Sequence, residues 1–332
     1  MTHSHTFLYI VIGLVLVFDF INGFHDSANS IATVVSTKVL SPFAAVVMAS
    51  FFNFIAFKVF PLKVATTMGT GVIKPDAINL TVIGAALVAA ITWNLVTWYW
   101  GLPSSSSHTL VGGLVGAAVA SSGFGAVQSA GVIKIVMFIF IAPLFGMVFS
   151  FVISSAIMWL FRRVSPYNVD KYFRRFQLVS SAAFSLGHGG NDAQKSMGII
   201  WAALIVFDMA SKDEKIATWI VLSCQTAIAM GTLFGGWRIV KTMGQRITKL
   251  RPFEGFCAET AGSLTLFSAT HFGIPVSTTH TITGAIIGVG ARKGASAVKW
   301  GVTTKIFWAW ILTIPVSGVI GCGMFLFLNW IL

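Results

Sequence analysis

Long runs of apolar residues, broken by short polar stretches, set the plan of this chain. Ten such segments can be placed, at about 7–34, 42–60, 77–100, 104–121, 131–161, 176–209, 216–237, 253–271, 275–291 and 302–331. A helix needs ~20 residues to cross a ~30 Å hydrocarbon core, so most of these are long enough to span a membrane. None shows the ~10-residue alternation of a transmembrane strand. The pattern predicts an all-α polytopic membrane protein. The segments at 7–34 and 176–209 have polar interiors, which allow a discontinuous or re-entrant helix at each.

The polar interruptions repeat. Gly101 to Gly116 reads GLPSSSSHTLVGGLVG, and Gly273 to Gly288 reads GIPVSTTHTITGAIIG, 172 positions later. A second pair matches 166 positions apart, Gly23-Phe-His-Asp26-Ser-Ala-Asn29-Ser30 with Gly189-Gly-Asn-Asp192-Ala-Gln-Lys195-Ser196. Each half then holds five segments, residues 1–165 and 166–332. An odd number turns the second copy upside down relative to the first, giving two inverted repeats with broken helices at the midplane, the plan of secondary transporters.

Composition sharpens this. Of 332 residues 56% are hydrophobic and only 10% are charged, which excludes an ordinary soluble domain. The net charge of +12 suggests no nucleic acid here, because most basic residues lie between the apolar runs. The loops at 162–175, 238–251 and 292–301 carry most of them. If each segment crosses once, all three fall on one side, which the positive-inside rule makes cytoplasmic. Both termini are then outside, in a multi-pass protein of the cytoplasmic (inner) membrane. The opening MTHSHT has no basic region, so no cleaved signal peptide is expected. Cys224, Cys257 and Cys322 have no metal or disulfide spacing. No cofactor and no resident metal site is expected.

The chemistry lies in the polar motifs. Proline followed by serines suits a helix start. Helices beginning inside the membrane near Pro103 and Pro275 would aim free N–H groups, dipole ends and hydroxyls at a shared cavity, a combination that binds anions and phosphate in particular. Ser104, Ser105, Ser106, Ser107, Thr109, Ser277, Thr278 and Thr279 are the candidate anion ligands, with Gln194 and Lys195 beside them. The plain alternative is that these hydroxyls only pack between helices.

A carboxylate in apolar surroundings is expensive and usually functional. Asp26 and Asp192 would hold a coupling cation, with Asn22, Asn29 and Asn191 supplying neutral oxygens; alternatively they carry the coupling proton, or cap a helix. Lys195 stands where the first copy has Asn29. It could touch the anion, fill a cation site permanently, or pair with Asp192 or Glu259. Glu259 has an apolar counterpart, Leu87, and is a candidate coupling carboxylate. His25, His108 and His280 could exchange protons or bond a backbone carbonyl at a helix break. Asp19, one turn before the first motif, is either secondary to the site or close to the membrane face.

At these motifs the sequence resembles the PiT family of inorganic phosphate transporters, which includes a sulfate permease branch. The carriers are DFINGFHDSANSIAT (19–33), GLPSSSSHTLVGGLVGA (101–117), GHGGNDAQKSMGII (187–200) and GIPVSTTHTITGAIIGVGA (273–291). The likeness is greatest to the bacterial low-affinity permeases. It implies inorganic phosphate as substrate, carried by alternating access, and a homodimer. The family's Gly-x-Asn-Asp-x-x-Asn pattern is met at Gly189, Asn191 and Asp192, but Lys195 replaces the last Asn, and His25 replaces the first Asn of the other copy. These departures favour proton over sodium coupling and allow phosphate as a neutral metal complex. Sulfate carriage and sodium-coupled phosphate symport are the alternatives. A channel fits less well, because buried carboxylates suit a coupled carrier. No HExxH or Gly-x-Ser-x-Gly motif supports an enzyme.

Overall fold

The apolar runs become helices because each can satisfy its backbone internally. A computed structural model describes residues 5–211 and 214–331. The first four residues of the N-terminal stretch therefore lie outside the described residues. The first half contains α1 (His5–Ser36), α2 (Pro42–Ile55), α3 (Lys63–Thr70), α4 (Leu80–Trp100), α5 (Ser106–Ser122) and α6 (Ser129–Leu160). The second contains α7 (Pro166–Val206), α8 (Thr218–Phe234), α9 (Trp237–Lys241), α10 (Pro252–His271), α11 (Thr278–Lys293) and α12 (Trp300–Ile331). No strand occurs among the described residues, only one isolated bridge between Ile73 and Val127.

All ten expected segments are helical, but they do not make ten single crossings. Helices α1, α4, α6 and α12 are each long and apolar enough to span a membrane. Helix α2 with its 3-10 extension meets α3 at 85°, and α8 meets the α9 segment at 60°, so each pair is a broken span or a re-entrant loop. α4 and α5 form a hairpin, because the strands of chain before α4 and after α5 are joined by Lys74 N–H to Ala126 O and Gln128 N–H to Val72 O. α10 and α11 form another, joined at their base by Lys299 N–H to Ile247 O and Thr248 Oγ1 to Ala297 O.

The breaks also fall elsewhere than the polar interiors of the first and sixth segments suggested. α1 and α7 run unbroken through both Asp motifs. The chain breaks instead at residues 101–105 and 272–277, just before the hydroxyl clusters. Gly101 (φ 65°) and Gly273 (φ 69°) end α4 and α10 in a left-handed conformation that a side chain would resist. Pro103 and Pro275 follow. At 17 and 16 residues, α5 and α11 measure about 25 Å.

The halves interlock. In a bilayer, close packing rather than the hydrophobic effect joins helices, so small residues sit at the contacts. A Cβ on Gly116 would lie 1.9 Å from the Gly318 carbonyl of α12, and one on Gly288 would lie 2.2 Å from the Met147 carbonyl of α6. α5 thus docks on α12 and α11 on α6. Two apolar clusters result. One takes α1 up to Phe18, with α4, α5 and Met197 of α7; the other takes α1 from Ala28, with α2, α10, α11 and Phe184 of α7. The polar motifs lie between them.

The three basic stretches converge at one end. Arg162, Arg251 and Arg292 line one groove there. Lys293 Nζ bonds Glu254 Oε1 at 2.7 Å, and Arg174 donates to the Lys38 carbonyl. Lys171, Arg174 and Arg175 sit on the first turns of α7 rather than in a loop; at 41 residues, about 62 Å, this helix outruns a bilayer core. Cys224 and Cys257 are buried, and all three cysteines are free.

Candidate functional site

Four elements meet in the polar layer: the middles of α1 and α7 and the starts of α5 and α11. Each half-helix is capped by its own motif. Ser105 Oγ accepts the N–H of His108 at 3.3 Å, and Ser277 Oγ accepts that of His280 at 3.2 Å. These two hydroxyls serve the backbone. The next two residues of each motif turn their side chains to the Asp motifs.

Ser106 Oγ lies 2.6 Å from Asn22 Oδ1 and 3.0 Å from Asp26 Oδ2. Thr278 Oγ1 donates to Asp192 Oδ2 at 2.9 Å. Asn29 Nδ2 crosses to the other half, donating to Thr278 Oγ1 at 3.2 Å and Thr279 Oγ1 at 2.9 Å. Lys195 crosses the opposite way, its Nζ 2.5 Å from Ser107 Oγ, 2.5 Å from Asp192 Oδ1 and 2.8 Å from the Val276 carbonyl. Thr279 Oγ1 also reaches Asp26 Oδ1 at 3.4 Å. So Asn29 and Lys195, at matching positions, each bond the hydroxyl motif of the other half.

A second matched pair braces the motifs. His25 lies 2.6 Å from Asp26 Oδ1 through Nδ1, and its Nε2 is 3.2 Å from Thr97 Oγ1. Asn191, at the matching position, donates to Thr270 Oγ1 at 3.0 Å. Ser104 bonds Thr97 at 2.8 Å and so stands behind His25. His188 puts Nε2 3.1 Å from Asp192 Oδ2 and holds Asn53 through Nδ1 at 3.1 Å. One atom each of Asp26, His188 and Asp192 lie within 4.8 Å of one another. All of these side chains are buried.

Other candidates are placed elsewhere. Gln194 faces α3: its Oε1 accepts the N–H groups of Val64 and Ala65, at 3.0 and 3.3 Å, and its Nε2 bonds the Pro61 carbonyl. Both ends of the amide are occupied at the start of α3, and it makes no hydrogen bond to the hydroxyl motifs. Thr109 turns to Asn94 Oδ1 at 3.2 Å and to the Ser106 carbonyl. Glu259 sits in a separate cluster, accepting from Thr33 at 2.6 Å, Gln177 at 3.0 Å and Ser180 at 2.5 Å. Lys195 pairs with Asp192, not with Glu259. His108 and His280 lie with ring centroids 4.8 Å apart, and His280 stacks on Trp310 at 4.0 Å. They form a contact between the half-helices behind the hydroxyls.

The sequence reading assigned no role to His188, although it stands in the 187–200 stretch one turn before Asp192, nor to Thr97 and Thr270, which carry no motif of their own. It also missed a third repeat. Lys63-x-x-x-Thr67-Met68-Gly69 matches Arg238-x-x-x-Thr242-Met243-Gly244, 175 positions apart. Thr67 Oγ1 bonds the Gly273 carbonyl and Thr242 Oγ1 the Gly101 carbonyl, both at 2.9 Å. These short helices hold the two hairpin turns, and the spacing was legible.

Comparison with known proteins places the chain in a family. A model of the phosphate transporter family matches residues 22–321. The chain is 56% identical over 310 residues to a probable low-affinity inorganic phosphate transporter of Rhizobium meliloti, covering 93% of each chain. A Bacillus subtilis protein described in the same words is 43% identical over 324 residues, with 97% of each covered. A solved structure described as the sodium-dependent phosphate transporter superposes with a TM-score of 0.88 at 26% identity, over 98% of this chain and all of that one. This multi-pass membrane protein belongs to the phosphate transporter family.

Proposed function

We propose that this protein is a secondary active carrier that moves inorganic phosphate across the cytoplasmic membrane by alternating access, coupled to protons. The observation that carries the reading is the crossed bonding of Asn29 and Lys195 to the opposite hydroxyl motifs, at the starts of two half-helices. Ser106, Ser107, Thr278 and Thr279, with the N–H groups of their turns, would exchange their present partners for the oxygens of a tetrahedral anion. Asp26 or Asp192 would accept the P–OH hydrogen, which sulfate lacks at neutral pH. Because the ligands are buried, the anion reaches them only when packing around the layer opens.

The matched contacts of the two halves support an inverted pair, 1–165 and 166–332, rocking about this layer. The convergence of the basic stretches supports a cytoplasmic position for that end, with both termini outside. Lys195 supports proton coupling: its ammonium occupies the place of Asn29 and lies against Asp192, where a sodium ion would otherwise compensate the carboxylate. The solved relative's description names sodium, and in that respect this chain departs from it. Phosphate entering as a complex with a divalent ion is a second form of the reading, favoured by the Asp26, His188 and Asp192 cluster. The family likeness favours a homodimer, which light scattering in detergent reads directly.

The test is labelled phosphate uptake into proteoliposomes with an imposed proton or sodium gradient and excess sulfate. Uptake driven by inward protons, indifferent to sodium and sulfate, is expected. Sodium-driven uptake overturns the coupling; block by sulfate without phosphate accumulation overturns the substrate.

A further inference from the structure

Five carboxylates are buried among the described residues: Asp19, Asp26, Asp192, Glu254 and Glu259. Four are held. Asp26 has His25, Ser106 and Thr279. Asp192 has Lys195, Thr278 and His188. Glu254 has Lys293 and the Arg251 N–H. Glu259 has Thr33, Gln177 and Ser180. Asp19 is fully buried, and neither of its oxygens makes a hydrogen bond.

Its surroundings are specific. Asp19 follows Phe18, where one apolar cluster ends, two turns before Asp26 on α1. Ser196 and Asn22 are its polar neighbours, and the Ser196 hydroxyl likewise makes no hydrogen bond. Asp192 and Lys195 face it from α7 and Cys224 from α8. α4, also packed on α1, has no acidic or basic residue. The remaining charged groups meet α1 further along: α9, with Arg238 and Lys241, packs beside Phe24 and His25, and Glu259 of α10 bonds Thr33.

We infer that Asp19 is the proton-binding site of the transport cycle. The inference rests on the proton-coupled reading above and moves the coupling group off the two motif aspartates. An ionised carboxylate with no more than the Ser196 and Asn22 side chains beside it, buried near a second carboxylate, costs far more than the neutral acid. Lys195 can pair with one carboxylate at a time. With its ammonium on Asp192, Asp19 holds a proton taken from the outer solution. When the ammonium turns to Asp19, the carboxyl O–H breaks and the proton leaves to the inner solution. One proton is bound and one released, and while the ammonium is on Asp19 the Asp192 carboxylate keeps the Thr278 hydroxyl and His188 as its partners.

The test compares wild type, Asp19→Asn and Asp19→Glu in proteoliposomes, reading labelled phosphate counterflow without a gradient, phosphate accumulation under an inward proton gradient, and lumenal pH. Asp19→Asn is expected to lose accumulation and lumenal acidification at least about ten-fold more than counterflow, and Asp19→Glu to recover both. Melting temperatures of the variants in detergent separate a folding defect from a coupling defect. Asp19→Asn that accumulates phosphate with unchanged proton dependence overturns the assignment. Equal loss of counterflow and accumulation in a variant that melts like wild type overturns it too. Wild type that exchanges phosphate without moving protons overturns the coupling reading and the Asp19 assignment with it, and wild type that exchanges no phosphate overturns the substrate.

Discussion

The two halves of the polar layer share a frame and differ in charge. Ser106 and Thr278 each bond the aspartate of their own half, and Thr97 and Thr270 each brace the residue before it. Yet where α1 presents a neutral Asn29, α7 presents the ammonium of Lys195, and where α1 presents Asp19, α7 presents Ser185. A frame that repeats so closely is an effect of packing. The exchange of amide for ammonium at one matched position is chemistry, and it marks where coupling differs from substrate binding.

The largest effect comes from erasing that exchange. Lys195→Asn gives the second half the composition of the first and leaves Asp192 without its cation. Removing one partner of a buried pair costs ~3–5 kcal/mol. A marked fall in melting temperature is expected, with phosphate uptake lost. The double variant Lys195→Asn, Asp192→Asn removes both charges and should regain most of the melting temperature without regaining uptake. Thermal melts beside uptake assays check this; a single variant as stable as wild type would remove the pair from the argument.

Next comes the interlocking. Gly116 and Gly288 touch backbone of the opposite half, whereas Gly13 has nothing near the place of a Cβ. Overpacking costs ~1–3 kcal/mol. Gly116→Val and Gly288→Val should each melt lower by such an amount, while Gly13→Ala leaves the melting temperature unchanged. Unequal losses at the two glycines would show that the halves are not held alike.

The hydroxyls sharpen the comparison further. Losing one hydrogen bond to a charged group costs ~1.5–3 kcal/mol, so Ser106→Ala and Thr278→Val should each raise the KM for phosphate by about ten-fold or more. Ser105→Ala and Ser277→Ala remove caps instead, and should lower stability by ~1 kcal/mol with a smaller change in KM. Matched effects at Ser106 and Thr278 are expected from uptake kinetics; an effect at only one of them breaks the symmetry of the anion site.

Much of this was legible in the chain. Apolar run lengths located all ten main helices, because a bilayer demands nearly uninterrupted stretches. The pairing of the motifs was legible because matching backbone turns need matching Gly, Pro and hydroxyl residues. The breaks before the hydroxyl clusters were legible too, from Pro103 and Pro275; the continuity of α1 and α7 was not, since polar residues inside them satisfy one another across helices and leave the backbone intact. Gln194 and Glu259 were read by their neighbourhood in sequence, but a helix turns 100° per residue, and next to Lys195 Gln194 faces α3. His188 stands in the 187–200 stretch one turn before Asp192, a spacing that was legible, while its bond to Asn53 was not, because α2 brings that residue in.

The smallest effect tests that last point. α3 and α9 are short helices that begin inside the protein, and each has its first N–H groups capped by a long helix of the polar layer. Gln194 Oε1 caps Val64 and Ala65, while Ser27 Oγ takes the Gly236 N–H at 2.5 Å. Their matched positions, Ala28 and Ala193, carry no polar group, so the two halves solve one problem with neighbouring residues. Gln194→Ala and Ser27→Ala should each lower stability by ~1 kcal/mol, the usual cost of a lost cap. Since neither side chain bonds the hydroxyls that face the aspartates, the KM for phosphate should stay within about two-fold in both. A rise in KM for Gln194→Ala comparable to that of Thr278→Val would return Gln194 to the anion site and mean that α3 moves away from it when phosphate binds. No rise would leave Lys195 as the one residue of that dipeptide facing the substrate, its neighbour serving only the frame.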